Sequence, residues 1–365
     1  AGNQVSLDFK GDGLISYKVD QGAVDALAEN KGLLKADGGL VVMTAKAADS
    51  LTGAVVNQSG VIEAQTLQNK EGRILLLSDM ENGRIIVSGK LDASAPNGGN
   101  GGFIETSAHD VKLNDTATGT TNAPQGITGT WLIDPTDFIV GTDISGAALS
   151  ANLNNANVII QTASEGTGNG DIFVNEAVSW STNNTLTMEA YRHINVNANM
   201  TATGDTAGLV MTPNTGGGGG SYYLNNGAVI TLSGLAPGLT IDGNVYTVIN
   251  EANGGIAALQ NMNNNLSGYY ALGSNISAAA TSKWNAGFGF VPIGNNTTAF
   301  TGQFDGLGHT VTKLTINRPT EDNIGLFGWN NGTVMNVSLV KGKIVGADNV
   351  GALAGFNSGT IDNAS

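Results

Sequence analysis

The chain has 365 residues with 53 Gly, no Cys, 41% hydrophobic and only 13% charged residues, and 16 Lys+Arg against 30 Asp+Glu leave a net charge of −14. That balance excludes a nucleic-acid surface, which needs a basic face, and attraction to anionic lipid; the missing Cys excludes thiol catalysis and Cys-ligated metal. No run approaches the roughly 18 apolar residues of a membrane-spanning helix, so no membrane insertion is expected, and the dense Val, Ile and Leu argue against disorder.

In chain order, Val5–Phe9 and Ile15–Val19 alternate with a period of two, which predicts half-buried strands. Val24–Glu29 has the composition of a short helix and is expected to cap a corner. Strands are predicted after Gly-containing turns at Gly39–Thr44, Gly72–Leu77 and Gly102–Thr106. The stretch 95–130, dominated by Asn, Gly, Thr and Ala, reads as a loop or a loosely laid rung. Trp131–Val140 is a strand that bends at Pro135 and resumes, because proline removes a backbone donor and holds Asp134 extended. Val158–Gln161, Asp171–Val174, Thr185–Met188 and Ile194–Val196 are further strands, and Gly216–Gly220 marks a flexible loop and a soft boundary. Past Tyr246, Ile256–Met262 is a short helix, followed by Gly-punctuated apolar segments.

Two repeats organise these pieces. Gly32, Gly60 and Gly89 stand at nearly equal intervals in matching Asn- or Ser-preceded rungs. Gly328, Asn330, Gly332, Thr333 and Asn336 recur at one constant offset as Gly355, Asn357, Gly359, Thr360 and Asn363. Such periods mark stacked units that cannot bury an apolar face alone. Short strands broken by Gly and Asn, with few tight hairpins, predict an all-β parallel β-helix, an elongated solenoid rod. Rungs of about 22 residues would give roughly 14–16 of them at a spacing of about 4.8 Å. Asn ladders are expected at matching corners, with Ile324, Leu326, Val334, Val350, Leu353 and Ile361 pointing inward.

The N-terminal third resembles the latter part of the secretion domain of two-partner-secretion exoproteins, the filamentous-haemagglutinin-like family. The resemblance rests on Ala1-Gly2-Asn3 with Val5-Ser6-Leu7, Gly11-Asp12-Gly13-Leu14-Ile15, the Asn30/Gly32 and Asn57/Gly60 rungs, and Gly101-Gly102-Phe103-Ile104-Glu105-Thr106-Ser107. Trp131-Leu132-Ile133-Asp134-Pro135 is similar to a block of the family's high-molecular-weight adhesins, and residues 268–365 resemble the GLUG repeat of bacterial surface adhesins and surface-associated proteases. The resemblance implies a right-handed parallel β-helix, export through an outer-membrane transporter partner, and a secreted or cell-surface adhesin. It divides the chain into a secretion-domain-like part, 1–130, a continuation, 131–245, and a part with GLUG-type repeats, 246–365. The front half of the secretion domain is missing and the last residues fall inside a repeat, so a piece of a longer protein is expected.

The chemistry-bearing residues do not assemble in the sequence. His109, His193 and His309 form no metal-ligand spacing and read as hydrogen-bonding or solvent-facing. Asp134, Asp137 and Asp143 are the tightest acidic cluster, and Asp134 before Pro135 suits a turn-fixing role better than catalysis. Gly216–Gly220 lacks the following Lys-Ser/Thr of a phosphate loop, and no calcium-loop pattern is present. Trp131, Trp180, Trp284 and Trp329 read as corner fillers, Trp329 having Phe356 as its repeat counterpart. No catalytic, cofactor or metal residue is therefore assigned. The expected function is a non-enzymatic adhesive stalk, attaching to host-surface glycan or matrix polysaccharide through outward rows of Asn, Thr, Ser and Gln such as Asn295-Asn296-Thr297, Asn331-Gly332-Thr333 and Asn336-Val337-Ser338. The alternatives are binding of haem or a haem carrier, and a β-helix polysaccharide-degrading enzyme, which the lack of clustered Arg and Lys disfavours.

Overall fold

The computed structural model of the protein describes residues 4–9, 15–21, 25–46, 53–164 and 167–365. It is a parallel β-solenoid of about 12 turns, mostly strand with almost no helix. The turns are fewer than the sequence suggests because each takes up more chain: Ile104 stacks on Trp131, and Tyr270 on Phe304. The chain divides into two compact units, 1–180 with 184–197 and 210–223, and 181–183 with 198–209 and 224–365.

In the first unit, Gln4–Phe9 and Ile15–Gln21 form an antiparallel pair. The strands Leu40–Thr44, Arg73–Leu77, Phe103–Ser107, Thr130–Asp134, Asn157–Gln161 and Thr185–Glu189 then stack in parallel register. Alternate positions make two inward columns. One runs Ile74–Ile104–Trp131–Val158–Leu186 and the other Leu76–Thr106–Ile133–Ile160–Met188, all buried. A second ladder joins Ala26–Asn30, Ala54–Gln58, Gly83–Val87 and Asp110–Leu113, and a third joins Leu33–Lys35, Val61–Glu63, Lys90–Asp92 and Thr118–Thr120.

The helix expected at Val24–Glu29 is a strand, Ala26–Asn30; Val24 itself lies outside the described residues. Its Ala- and Glu-rich composition favours helix only weakly, and pairing with Ala54–Gln58 overrides that preference. The stretch 95–130 is a fully laid rung, with strands at Phe103–Ser107, Asp110–Leu113 and Thr118–Thr120.

The third ladder also leads into an unforeseen helix. Gly146–Leu153 starts at Ser145, whose side chain accepts the Ala148 N–H, and lies against both Thr118–Thr120 and Val178–Trp180. Its buried Asn152 takes the Gly119 N–H at 2.8 Å and donates to the Ala117 carbonyl at 3.2 Å. Ser150 Oγ accepts the Ser179 N–H on the other side. Two side chains thus do the hydrogen bonding that a strand backbone would otherwise supply. Gly119 has a second constraint: a Cβ there would lie 2.2 Å from the Trp131 ring, so the large indole fits inside only against a glycine. The indole N–H donates to the buried Thr106 hydroxyl at 3.3 Å.

The second unit is built on a five-stranded parallel ladder, Thr247–Ile249, Tyr269–Leu272, Gln303–Asp305, Thr333–Met335 and Thr360–Asp362. Its core is aromatic: Phe327 meets Phe300 at 5.0 Å and Phe304 at 5.5 Å, among Phe290, Leu272 and Val334. The helix Gly255–Gln260, continued as a 3-10 turn Asn261–Asn264, sits where the sequence places one and buries Ile256, Leu259 and Met262. Ile324, Leu326 and Val334 are buried as expected. Val350 and Ile361, in register with Ile324 and Val334, are 45% and 37% exposed. Leu353 is half-buried against the core.

Candidate functional site

Outward columns differ between and within the two units. In the first, the outward column Val42–Leu75–Glu105–Leu132–Ile159–Thr187 is mostly aliphatic and half-buried. In the second unit, Tyr269, Gln303, Thr333 and Thr360 stand in register at the starts of successive strands. Each follows a glycine: Gly268, Gly302, Gly332 and Gly359. A Cβ at Gly302, Gly332 or Gly359 would lie 2.0–2.2 Å from the carbonyl oxygen of the glycine one rung before. Close stacking therefore demands glycine in this column, and leaves a strip of bare backbone. Before each glycine comes another polar residue, Ser267, Thr301, Asn331 or Ser358, so the strip runs between two polar banks.

The result is a groove of about 260 Å³ bounded by Ser267, Tyr269, Thr301, Gln303, Asn331, Thr333 and Thr360. A second hollow of about 610 Å³ shares Ser267, Thr301 and Asn331 with it and extends to Asn265, Asn296, Thr297 and Trp329. Aromatic rings brace both banks. Trp329 lies over Phe356 of the next rung at 4.0 Å between centroids, and its Nε1 donates to Asn331 Oδ1 at 2.8 Å. Ser358 Oγ donates to the same oxygen. On the opposite bank Tyr246 packs edge-on to Tyr269 at 5.4 Å, and its hydroxyl donates to Gln303 Oε1 at 2.7 Å. Burial, with Tyr269 and Asp242 nearby, pushes the Tyr246 hydroxyl up to about 12, so it stays a donor.

The remaining candidates are dispersed. His109 Nδ1 is 2.8 Å from the Thr136 hydroxyl, and His193 Nδ1 accepts the Ser221 N–H beside the Tyr223 ring. His309 is buried, with Nε2 3.0 Å from the Ile230 carbonyl and Nδ1 3.2 Å from Asn275 Oδ1; burial pushes it down to about 4. Asp137 accepts the Asn169 and Asp171 N–H groups and Asp143 accepts the Ile139 N–H, so both fix turns. Burial raises the Asp143 carboxyl, against that hydrogen bond and the Lys112 charge. Among the described residues no group of three or more acidic or histidine side chains is placed to hold a metal. Gly216–Gly220 is folded back on Asn214, whose Oδ1 accepts the Gly219 and Gly220 N–H groups. Trp131 and Trp180 are core residues, and Trp284 stacks on Phe290 at 6.4 Å.

Two polar residues escape sequence reasoning. Asp171 is buried and paired with Arg192 through Nε at 2.9 Å and through Nη2. Burial alone would raise its carboxyl, but Arg192 and the His193 N–H hold it below the ordinary value. Asp305 is buried, accepting the Leu307 N–H at 2.9 Å and the Asn336 amide at 3.0 Å, and burial pushes it up to about 6. Its signal in the sequence is only a turn-like Asp305-Gly306.

No family model and no solved structure matches the chain. Curated relatives match parts of it. Over 115 residues, 30% of this chain and 1% of the relative, it is 41% identical to halomucin of Haloquadratum walsbyi. Over 84 residues, 22% of this chain and 10% of the relative, it is 46% identical to a protein named as a Gly-rich membrane protein of Evansella cellulosilytica. The matches thus span a small fraction of the length of those relatives.

Proposed function

We propose that this chain is an adhesin-like stalk segment of an extracellular or cell-surface protein, which attaches rather than catalyses. The observation that carries the reading is the use made of each rung. Inward positions are mostly apolar and closed, the outward column Tyr269, Gln303, Thr333 and Thr360 of the second unit is uncharged, polar and repeated, and ionisable groups such as Asp171, Arg192, Asp305 and His309 serve local structure. Repeated surfaces of this kind suit repeated ligands, each contact weak and many adding together. The name of the Evansella relative, a membrane protein, and the small share of the very long halomucin that is matched, support a place in a large surface protein. Export through an outer-membrane transporter partner is the proposed route on the N-terminal resemblance.

The test is to tag the chain in its native host, treat intact cells with protease, and score attachment of cells lacking the gene. Cleavage of the tag on intact cells together with reduced attachment to host cells or matrix is expected. A tag protected until lysis would reject the surface location, and undiminished attachment would reject the adhesive role.

A further inference from the structure

We propose that the glycine-floored groove of the second unit binds a neutral polysaccharide lying along the stacking direction; this rests on the attachment reading and gives it a site. No Asp, Glu, Lys, Arg or His lines the groove or the hollow beside it. In a chain of net charge −14 an anionic polymer would meet repulsion with no local cation to offset it. An uncharged ligand rich in hydroxyls meets neither penalty.

Hydrogen-bond accounting gives the groove its donors. An indole N–H only donates, so Trp329 Nε1 fixes Asn331 with Oδ1 toward the ring and leaves Nδ2 for a ligand. The Tyr246 hydroxyl, which could donate or accept, here donates to Gln303 Oε1 and leaves Nε2. One amide donor therefore stands on each bank, held by an aromatic neighbour. The Thr333 and Thr360 hydroxyls can both donate and accept, as the hydroxyls of a sugar ring do, while those of Ser267 and Thr301 donate to Asn265 Oδ1 and the Leu266 carbonyl and offer a ligand their acceptor lone pairs. Trp329, half-buried and lining the second hollow, offers a ring face beside these donors for the C–H face of a pyranose. The glycine floor with a polar side chain on either bank repeats at the rung spacing of about 4.8 Å, so a polymer meets polar contacts on successive rungs. A peptide is the poorer occupant. The strands Gln303–Asp305 and Thr333–Met335 that floor the middle of the groove are already paired on both sides, so a peptide cannot add as a strand there, and the groove has no deep apolar pocket for anchors.

The experiment is affinity electrophoresis of the full chain through gels containing soluble glucan, galactan or mannan, with a polyuronate as the anionic control. Wild-type chain is expected to be retarded by at least one neutral polymer, more strongly as the polymer lengthens, with little response to salt. The double variant Gln303→Glu and Asn331→Asp keeps shape and the oxygen acceptors while removing both donors. It should melt at the wild-type temperature and bind about tenfold or more weakly. Thr333→Arg, which fills the groove, should do the same. Absence of retardation by every neutral polymer, or equal retardation of the double variant, overturns the proposal. So does binding on a peptide array that the same substitutions abolish. Bead-bound chain is scored in parallel for attachment to cells. If wild type and double variant attach equally, the groove fails while the stalk reading stands; if wild type attaches to nothing, both fall.

Discussion

The recurrent asparagines have a backbone reason. Asn323, Asn336, Asn349 and Asn363 all sit at φ between 47° and 58°, a left-handed conformation that Asn tolerates better than most residues. Stacking brings them together in pairs: Asn349 donates to Asn323 at 3.1 Å and Asn363 to Asn336 at 2.8 Å. Asn336 also donates to the buried Asp305. Asn336→Ala should therefore cost about 2–3 kcal/mol, from a strained φ plus lost hydrogen bonds, and Asn336→Gly should recover about 1 of that, both read by denaturant unfolding. Asp305 and His309 make a second residue-scale prediction. Asp305, raised to about 6 when folded, contributes stability that is present at low pH and lost as pH rises through 6. His309, lowered to about 4, contributes stability that is present above its unfolded value and lost as pH falls through 4. Between pH 4 and 6 the two slopes oppose each other and nearly cancel. Replacing Asp305 by Asn removes one of them. The stability difference between D305N and wild type should shift by about 3 kcal/mol in favour of the variant from pH 4 to pH 7. A difference constant with pH would show that the carboxyl titrates normally.

An element in this fold is defined by what it stacks on. The helix Gly146–Leu153 takes a rung position because Asn152 and Ser150 replace backbone partners for the strands on either side. Asn152→Leu keeps the volume and the helix but orphans the Gly119 N–H and the Ala117 carbonyl inside the protein. A loss of about 2–4 kcal/mol is expected by denaturant titration, with helix content unchanged; Asn152→Ser should retain part of it. The same dependence explains what could be seen beforehand. Rung glycines are legible because their cause is local and repeated: Gly60 has no room for a Cβ, which would lie 2.1 Å from the Gly32 oxygen. Strands such as Asn157–Gln161 are legible because their aliphatic residues alternate between core and surface. The strand Ala26–Asn30 is not, because its helical composition is overruled by its partner on the next rung, Ala54–Gln58. The helix at 146–153 is hidden for a related reason: its key residue, Asn152, has its partners, Gly119 and Ala117, far back along the chain. The groove is equally illegible, since the register between distant segments decides which polar residues face each other.

At the scale of the whole molecule, few charges and many short-range stacks make stability a sum of neighbour terms rather than a property of one core. Each strand of the ladder Tyr269–Leu272, Gln303–Asp305, Thr333–Met335 and Thr360–Asp362 is held by the rungs beside it. Val334 is the buried member of the third of these strands, stacked between Phe304 and Ile361. Val334→Asp places a carboxylate among these apolar side chains, a change expected to cost about 3–5 kcal/mol. The cost should fall first on the neighbours. Hydrogen exchange should speed up in 333–335 and in the adjoining 303–305 and 360–362, while amides of the first-unit ladder through Arg73–Leu77, Phe103–Ser107 and Thr130–Asp134 keep their protection. The lost protection should fade rung by rung from Val334. A uniform loss of protection over every rung would mean that the molecule unfolds as one cooperative body, and that the neighbour-by-neighbour account of its stability is wrong.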